Sequence, residues 1–347
     1  MTPKNKLKSH YEVIVIGAGP AGLAAARILK EAGKEVVILE KNKVIGKKVC
    51  AGGLTHKDLE SGIPKDIISR EFSSVLLHSH HKISRVRIEI PLAYTIDREV
   101  LGKWQYSIVK KLGVPLVTST VIKVDQEKVY LNSGQEVSFD YLIGADGASS
   151  VVRRSLNLES KNLLVAFHYV VPKQMQDMEL FVNVEKYGFT YLWIFPHQNF
   201  TSIGTGIDVT QRSKISDIKP KLEDFIKSKK IDLSKCQYES APINYDYQGF
   251  EFGNMFLIGD AGGFTAPLTG EGIYNAIVTG EEVARKIIAP EYDTPKIQNI
   301  LKYQNIQKRV LRLAQGMGNA ADFFADAFME VIHYRFVNKV AMDILKV

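Results

Sequence analysis

Gly17-Ala-Gly-Pro-Ala-Gly22 follows the apolar run Val13 to Ile16 and leads into the helical pattern Ala21 to Ala32, and an acid, Glu40, closes the next apolar run. This spacing predicts a dinucleotide site. Gly17 permits the tight turn out of a strand, Gly19 lets the backbone approach a pyrophosphate, and Gly22 allows a helix to pack closely on that strand. The first turn of the helix offers phosphate its unpaired N–H groups and the positive end of its dipole. Glu40 can accept the hydroxyls of a ribose. Glycines alone also serve ligand-free turns, so the prediction rests on the strand, helix and terminal acid around them.

Two further glycine-rich stretches follow strand-like runs. Tyr141 to Ile143 leads into Gly144-Ala-Asp-Gly-Ala-Ser-Ser-Val-Val-Arg-Arg154, and Asn254 to Ile258 leads into Gly259-Asp-Ala-Gly-Gly-Phe-Thr-Ala-Pro-Leu-Thr-Gly-Glu-Gly272. Tyr191, Trp193 and Phe195 alternate and so share one strand face, a pattern that serves an aromatic core as well as the wall of an apolar pocket. Phe181 and Phe189 would extend such a wall. His78, His80 and His81 cluster without the partners that complete a zinc-type set, so they read as solvated turn residues and no metal site is predicted. His56 and His168 read as structural. Nothing fixes a carboxylate pair around Asp246 and Glu251, and Lys227, Lys229 and Lys230 read as a solvated face.

The elements that must position these residues begin with a strand, helix, strand unit over the first 40 residues, with Gly33 at the helix end. Ser73 to Ser79 and Ser84 to Ile90 read as a strand pair. Glu99 to Leu112 has helical spacing at Val100, Trp104, Ile108 and Leu112, which puts Arg98 at a helix entrance. Short strands are expected at Leu116 to Val124 and Lys128 to Leu131. Leu164 to Val171, Met178 to Val184, Thr190 to Phe195 and Ser202 to Val209 read as an antiparallel sheet of a second domain. Lys221 to Lys229 reads as a surface helix, Ile273 to Ile288 as a strong amphipathic one, and the chain from Lys296 onward as mainly helical.

A chain of 347 residues with 45% hydrophobic content can bury a large core in two domains or one elaborated domain. Its 45 Lys and Arg against 38 Asp and Glu leave +7, which favours anionic ligands or an anionic membrane surface and does not imply nucleic acid. Cys50 and Cys236 are too few for a disulfide framework, and no early apolar segment resembles a secretory signal. No window approaches the roughly 20 apolar residues that span a bilayer. These features predict a cytoplasmic protein whose membrane contact would be peripheral.

Together, Gly17 to Gly22, Glu40, Arg98, Gly144 to Arg154 and Gly259 to Gly272 resemble the FAD-dependent p-hydroxybenzoate hydroxylase superfamily, over about the whole chain to Ile288. Within it, Val49-Cys-Ala-Gly-Gly-Leu54 and Tyr191-Leu-Trp-Ile-Phe-Pro196 resemble the two marks of the geranylgeranyl reductase family, which saturates prenyl chains using reduced FAD. Ala51 departs from that pattern, which more commonly has glycine there.

The resemblance implies an α/β fold. A discontinuous Rossmann-like FAD-binding domain (1–72, 92–160 and 246–290) would interleave with an antiparallel β-sheet substrate domain (73–91 and 161–245), followed by a C-terminal helical segment (291–347). It puts Gly17, Gly19 and Gly22, with Pro20 and Ala21 of the same turn, on the pyrophosphate, and Glu40 with Lys41 on the adenosine ribose. Arg98 would lie near the ribityl chain, with Val121, Asp146 and Gly147 as further cofactor residues. Asp260, after Gly259, would bond the ribityl hydroxyls. The helix beginning near Gly270, Gly272 and Ile273 would point its N-terminus at the flavin pyrimidine edge, where reduced flavin can carry negative charge.

Cys50 and Ala51 would come to the flavin, Cys50 as the catalytic candidate whose thiol contacts substrate or assists proton delivery; the alternative is a small packed hydrophobe. Tyr191, Trp193 and Phe195 become the substrate-pocket wall. The implied reaction is hydride transfer from reduced FAD to a carbon–carbon double bond of a prenyl lipid or diphosphate, with Lys47 and Lys48 at a diphosphate head and NAD(P)H or ferredoxin as electron donor. A flavin-dependent aromatic monooxygenase and a non-redox FAD-binding protein share the same FAD motifs. The Cys50 and Tyr191 to Pro196 motifs favour the reductase.

Overall fold

The computed structural model describes residues 7–87, 93–209, 215–318 and 320–331. The expected strand end at Ile90, the domain boundary at 91 and 92, and the segment past residue 331 lie outside them. The helices are α1 (Pro20–Glu31), α2 (His56–Glu60), α3 (Arg98–Lys111), α4 (Val151–Ser155), α5 (Val184–Tyr187), α6 (Ile215–Ser228), α7 (Gly259–Gly262), α8 (Ile273–Ile288), α9 (Pro295–Met317) and α10 (Ala320–Val331).

Val13 to Ile16 and Val36 to Leu39 are apolar at every position because both faces of their sheet are covered. That sheet has eight strands. His10–Ile16 pairs in parallel with Val36–Glu40 on one side and Glu136–Gly144 on the other, and Leu116–Thr118 and Met255–Leu257 extend it, also in parallel. One face carries the core of α1, α8 and α9, including Leu23, Ala25, Leu29, Val283 and Ile297. The other packs Ile14, Leu39, Leu142 and Leu257 against the meander Val121–Val124, Lys128–Leu131 and Glu136–Gly144.

The second sheet has seven strands, in the order Gln237–Asn244, Leu163–Val171, Thr201–Asp208, Leu192–Pro196, Met178–Phe181, Ser74–His78 and Ile83–Arg87. Its pairings are antiparallel with one correction to the expectation: Met178–Phe181 runs parallel to Ser74–His78. Phe167, Tyr169, Leu192, Ile194 and Ile203 point to one face and pack on Ile218, Leu222 and Ile226 of α6. Register places Trp193 opposite Gly204 and Phe195 opposite Ser202 on the other face. A small sheet of Gly53–Leu54, Arg70–Phe72 and Ala93–Thr95 joins the two.

Three local readings change for physical reasons. The strand expected over Leu116 to Val124 breaks at Ser119 and Thr120, whose side-chain hydroxyl and backbone N–H donate to Asn132 Oδ1. The strand expected to reach Val184 ends at Phe181, because Asn183 Oδ1 accepts from Lys186 N and starts the single turn of α5. Gln237–Asn244 carries too many polar residues and Pro242 to read as a strand, yet as an edge strand it needs only one bonded side.

α8 crosses α1 with backbone nearly touching backbone: a Cβ on Gly280 would overlap the Ala21 carbonyl and lie 3.2 Å from Ala25 N. Gly280→Ala gains about 1 kcal/mol of helix propensity. It should still lose net stability, by about 1–3 kcal/mol, because neither backbone can retreat. Urea unfolding of the two proteins checks this, and equal midpoints would refute it.

Candidate active site

The turn between His10–Ile16 and α1 is built as its glycine spacing demands. Gly17 has φ +105°, and a Cβ there would overlap the Ala145 carbonyl, while one on Gly22 would overlap the Gly17 carbonyl. Gly19, the N-cap of α1, has no atom within 4 Å of where its Cβ would stand, and no side chain caps the helix. The turn therefore presents open space in front of free helical N–H groups. Glu40, at the end of the next strand, accepts from Ala18 N at 2.7 Å and Asn42 N at 2.8 Å. Ser119 N donates to the Glu40 carbonyl at 2.9 Å, which brings Val121 close to that strand end, and Lys41 is exposed beside it.

Arg98 is the first residue of α3, whose N-cap Asp97 accepts from Glu99 N at 2.7 Å. It is 8% exposed, and its Nε and Nη1 find no partner. A buried guanidinium with unmet donors is costly, so this one is made for an acceptor that the protein does not itself supply. The Gly144 loop is tied to the α7 turn through Arg153, which donates to Ala261 O at 3.2 Å and Asp246 O at 2.8 Å. Asp146 Oδ2 accepts from Val151 N at 2.6 Å, its Oδ1 is buried without a partner, and burial raises its pKa. Gly147 has φ +79° and open space around it. Asp260, beside Gly259, accepts from Thr265 Oγ1 at 2.9 Å and pairs with Lys48 Nζ at 2.8 Å.

The Cys50 segment lies between these loops and the second sheet. Gly52 N donates to Cys50 Sγ at 3.4 Å, and Cys50 packs against the cluster that contains Leu54, Ile96 and Ile273. A Cβ on Gly53 would stand 2.6 Å from the Phe195 ring, and one on Gly52 would stand 2.7 Å from the His197 ring. His197 Nε2 donates to Ala51 O at 3.0 Å, and burial lowers its pKa to about 4, so the ring is neutral. Trp193 is locked by a relay: its Nε1 donates to Ser202 Oγ at 3.0 Å, Ser202 meets His168 Nδ1 at 2.7 Å, and His168 Nε2 meets Glu239 at 3.2 Å. Tyr191 donates its hydroxyl to Thr269 O, directly before Gly270. Burial raises its pKa, and the neighbouring Cys50 and Glu271 add to that. The aromatic strand, the Cys50 segment and the start of α8 are thus one contact, with Gly272 as the uncapped N-cap of α8 and Ile273 as its first residue.

Sequence reasoning missed Arg153, His197, Asp58 and Glu271. Arg153 and His197 act through backbone carbonyls, which leave no spacing signal. Asp58 gave a weak one, the Thr55 to Asp58 capping box. Thr55 Oγ1 lies 3.2 Å from Asp58 Oδ2 and 3.1 Å from Glu271 Oε1. Burial raises both carboxyls, Asp58 to about 7 with the charge of Glu271 adding to the effect. Phe181 does not extend the aromatic wall: it stacks on His78 at 4.0 Å and packs toward Phe225 of α6, on the opposite sheet face. His78 and His81 are not free turn residues either, pairing with Glu179 at 2.7 Å and Asp326 at 2.8 Å. Lys48, expected at a substrate diphosphate, pairs with Asp260. No group of three metal-ligating side chains occurs among the described residues.

Residues 117–315, more than half of the chain, match the family model described as FAD binding domain. The chain belongs to the FAD binding domain family. Residues 11–180 also match the pyridine nucleotide-disulphide oxidoreductase model, and the protein is an FAD-dependent oxidoreductase. It is 25% identical to the geranylgeranyl diphosphate reductase of Synechocystis, over 95% of this chain and 91% of that one. To the digeranylgeranylglycerophospholipid reductase of Methanosarcina mazei it is 26% identical, over 85% of this chain and 80% of the relative. Among solved structures, a geranylgeranyl bacteriochlorophyll reductase-like protein from Thermoplasma acidophilum superposes with a TM-score of 0.73 at 20% identity, covering 97% of this chain and 99% of the other. HpxO of Klebsiella pneumoniae, complexed with FAD, gives 0.66 at 16% identity, covering 97% and 99%. The fold is p-hydroxybenzoate hydroxylase-like.

The residues of this FAD binding domain fit the cofactor. The space at Gly19, the uncapped α1 and the unmet Arg98 donors could take a pyrophosphate, and Glu40 a ribose. Arg98→Ala, Glu40→Ala and Asp260→Ala should each weaken FAD retention by roughly ten- to a hundredfold, the scale of one charge-assisted hydrogen bond. Flavin absorbance per protein after dialysis measures it. Unchanged retention in all three would remove the cradle from this place.

Proposed function

We propose that this protein reduces carbon–carbon double bonds of a prenyl lipid or prenyl diphosphate. The observation that carries the reading is the contact of Cys50 to Gly53 with the Tyr191, Trp193 and Phe195 face beside the start of α8. The names of the relatives, reductases of geranylgeranyl diphosphate and of a digeranylgeranyl phospholipid, support it.

In this reading FAD is held by Gly17 to Gly22, Glu40, Lys41, Arg98, Val121, Asp146, Gly147, Gly259 and Asp260, with Gly270, Gly272 and Ile273 at the flavin. When bound and reduced it supplies a hydride. An isolated alkene offers little polarity to grip, so the protein's part is shape and water exclusion. Trp193 and Phe195 give a rigid apolar wall, since the Ser202–His168–Glu239 relay fixes the indole and Gly53 lets the Phe195 ring approach the backbone closely. Cys50 lies three residues before Gly53 on the same segment. The division into a discontinuous cofactor domain (1–72, 92–160, 246–290), a substrate domain (73–91, 161–245) and a helical segment from 291 accords with which strands share a sheet.

A lipid substrate asks for a way to meet a membrane. No helix among the described residues is long and apolar enough to cross one. On α10 two acids turn inward, Asp322 accepting from Val184 N at 2.7 Å and Asp326 pairing with His81, while the exposed Glu330 pairs with Lys82. Phe323, 72% exposed, and Phe324, 56% exposed, face outward, as does Leu313 of α9 at 69%. Arg309 and Arg312, four residues and one residue before Leu313 on α9, are exposed and make no ion pair with a carboxylate among the described residues. Apolar side chains beside unpaired arginines suit an anionic bilayer surface.

Two measurements test these readings. With dithionite-reduced protein under anaerobic conditions, geranylgeranyl lipids or diphosphates should reoxidise the flavin and gain two mass units per reduced bond; Cys50→Ala should keep FAD but change the rate. Reoxidation in air alone would instead mean an oxygen-using enzyme. In vesicle sedimentation, Phe323→Ser with Phe324→Ser should cut binding to phosphatidylglycerol-containing vesicles about tenfold or more. Equal binding by variant and parent would exclude this face.

A further inference from the structure

We propose that Glu271, backed by Asp58 through Thr55, is the proton donor of the reductase site, and that the polar cavity between α2, α8 and α9 is the route by which its proton is replaced. The inference rests on the reductase reading above and assigns that reaction its second hydrogen.

Glu271 follows Thr269 and Gly270, the stretch on which Tyr191 rests its hydroxyl, so its backbone adjoins the contact between that stretch and the aromatic strand. Its carboxylate also lines a cavity with Lys57 of α2, Tyr274 and Asn275 of α8, and Asn299 and Gln307 of α9. Ala266 and Ile300 add apolar surface, and the polar side chains among the lining offer water the partners it needs. Glu271 therefore joins two surroundings: its backbone neighbours the stretch that Tyr191 contacts, and its side chain meets Thr55 and the chamber.

Asp58 is the second carboxyl of the pair. It is 1% exposed, its Oδ1 has no partner, and its Oδ2 accepts from Thr55 N at 2.8 Å and meets the Thr55 hydroxyl that also meets Glu271. A hydroxyl between two carboxyls can donate to one while accepting from the other only if that other is protonated. Two buried carboxyls so close do not ionise together, so the pair retains a proton near neutral pH. Around it stand Lys57 and Glu60 of α2, Tyr274 of α8, Tyr303 of α9, Tyr191 and Cys50. Lys57 is the cation whose charge lowers both acids, and burial outweighs it.

The balance is simple. The hydride and its electron pair come from the reduced cofactor and form one new C–H bond as the π bond of the alkene opens. The Glu271 O–H bond breaks and its proton forms the other C–H bond. The carboxylate left behind takes its next proton from water in the cavity, which restores the single proton that the pair shares through Thr55. A carboxyl suits this place because, protonated, it carries no charge into an apolar pocket.

Infrared difference spectroscopy and anaerobic single turnovers test the proposal together. The resting protein should show a protonated-carboxyl band that titrates near neutrality and is lost or shifted in Glu271→Gln and in Asp58→Asn. Glu271→Gln should keep its FAD and slow flavin reoxidation by a prenyl substrate about 10²–10⁴-fold, the usual worth of a general acid. The parent rate should fall as pH rises through the titration, since only the acid form donates; Glu271→Gln should lose that slope and Glu271→Asp regain part of the rate. An active parent with a Glu271→Gln variant of equal rate and pH profile would overturn the proton assignment alone. A parent that reduces no prenyl substrate, with the band present and lost in both variants, would overturn the reductase reading and leave the proton pair in place.

Discussion

Backbone meeting backbone without intervening side chains is the constraint on which this structure depends. Around the N-terminus of α1, Gly17 abuts Ala145, Gly22 abuts Gly17, and Gly280 of α8 abuts Ala21. Three segments far apart in sequence can bring their N–H groups to one point only because none of them carries a Cβ there. Arg153 fastens the same convergence from behind, spanning from the Gly144 loop to carbonyls of Asp246 and Ala261. A single methyl in any of these contacts would move a helix, and with it the direction in which its dipole points.

The second sheet solves a different problem with one strand. Leu192 and Ile194 face α6 and close a hydrophobic core, while Tyr191, Trp193 and Phe195 face the cofactor loops. The period of two along a strand makes this division automatic. Holding the aromatic face still takes polar groups, which would be costly there if unpaired. Ser202 and His168, both buried, are paired through the indole and Glu239, and His197 spends its one donor on Ala51. Polar side chains thus lie behind the wall as supports, and the surface offered to a ligand stays apolar.

How much of this was legible from residue order follows from the kind of signal each part leaves. The turn into α1 was readable because close packing excludes every residue but glycine at Gly17 and Gly22, and helix α8 because its apolar face repeats over sixteen residues. Trp193 and Phe195 were readable as sharing a face, but not which face: Phe181 looked like their neighbour and lies on the other side, since its strand pairs Leu180, not Phe181, with Trp193. The edge strand Gln237–Asn244 left no apolar alternation to find. His81 reads as a turn residue until α10, some 240 residues later, brings Asp326 against it. Pairings across such separations belong to the tertiary fold, and no local pattern announces them.

Charge at the site is distributed with the same economy. Asp260 and Lys48 neutralise each other at the cofactor loop, where a nucleotide's hydroxyls and phosphates can exchange with them. Closer to the apolar wall the ionisable groups are ones that can exist neutral: Tyr191, whose proton is held by burial, His197, kept uncharged, and the Asp58 and Glu271 carboxyls, both raised. A site meant for water-borne anions would be expected to keep its guanidinium and ammonium groups at the wall, since desolvating them is repaid by the ligand's charge. Here the buried guanidiniums, Arg98 and Arg153, belong to α3 and α4 and not to the aromatic strand. The separation of a charged end for the cofactor from a neutral, proton-holding end for the substrate is what a hydride acceptor without polar groups of its own requires.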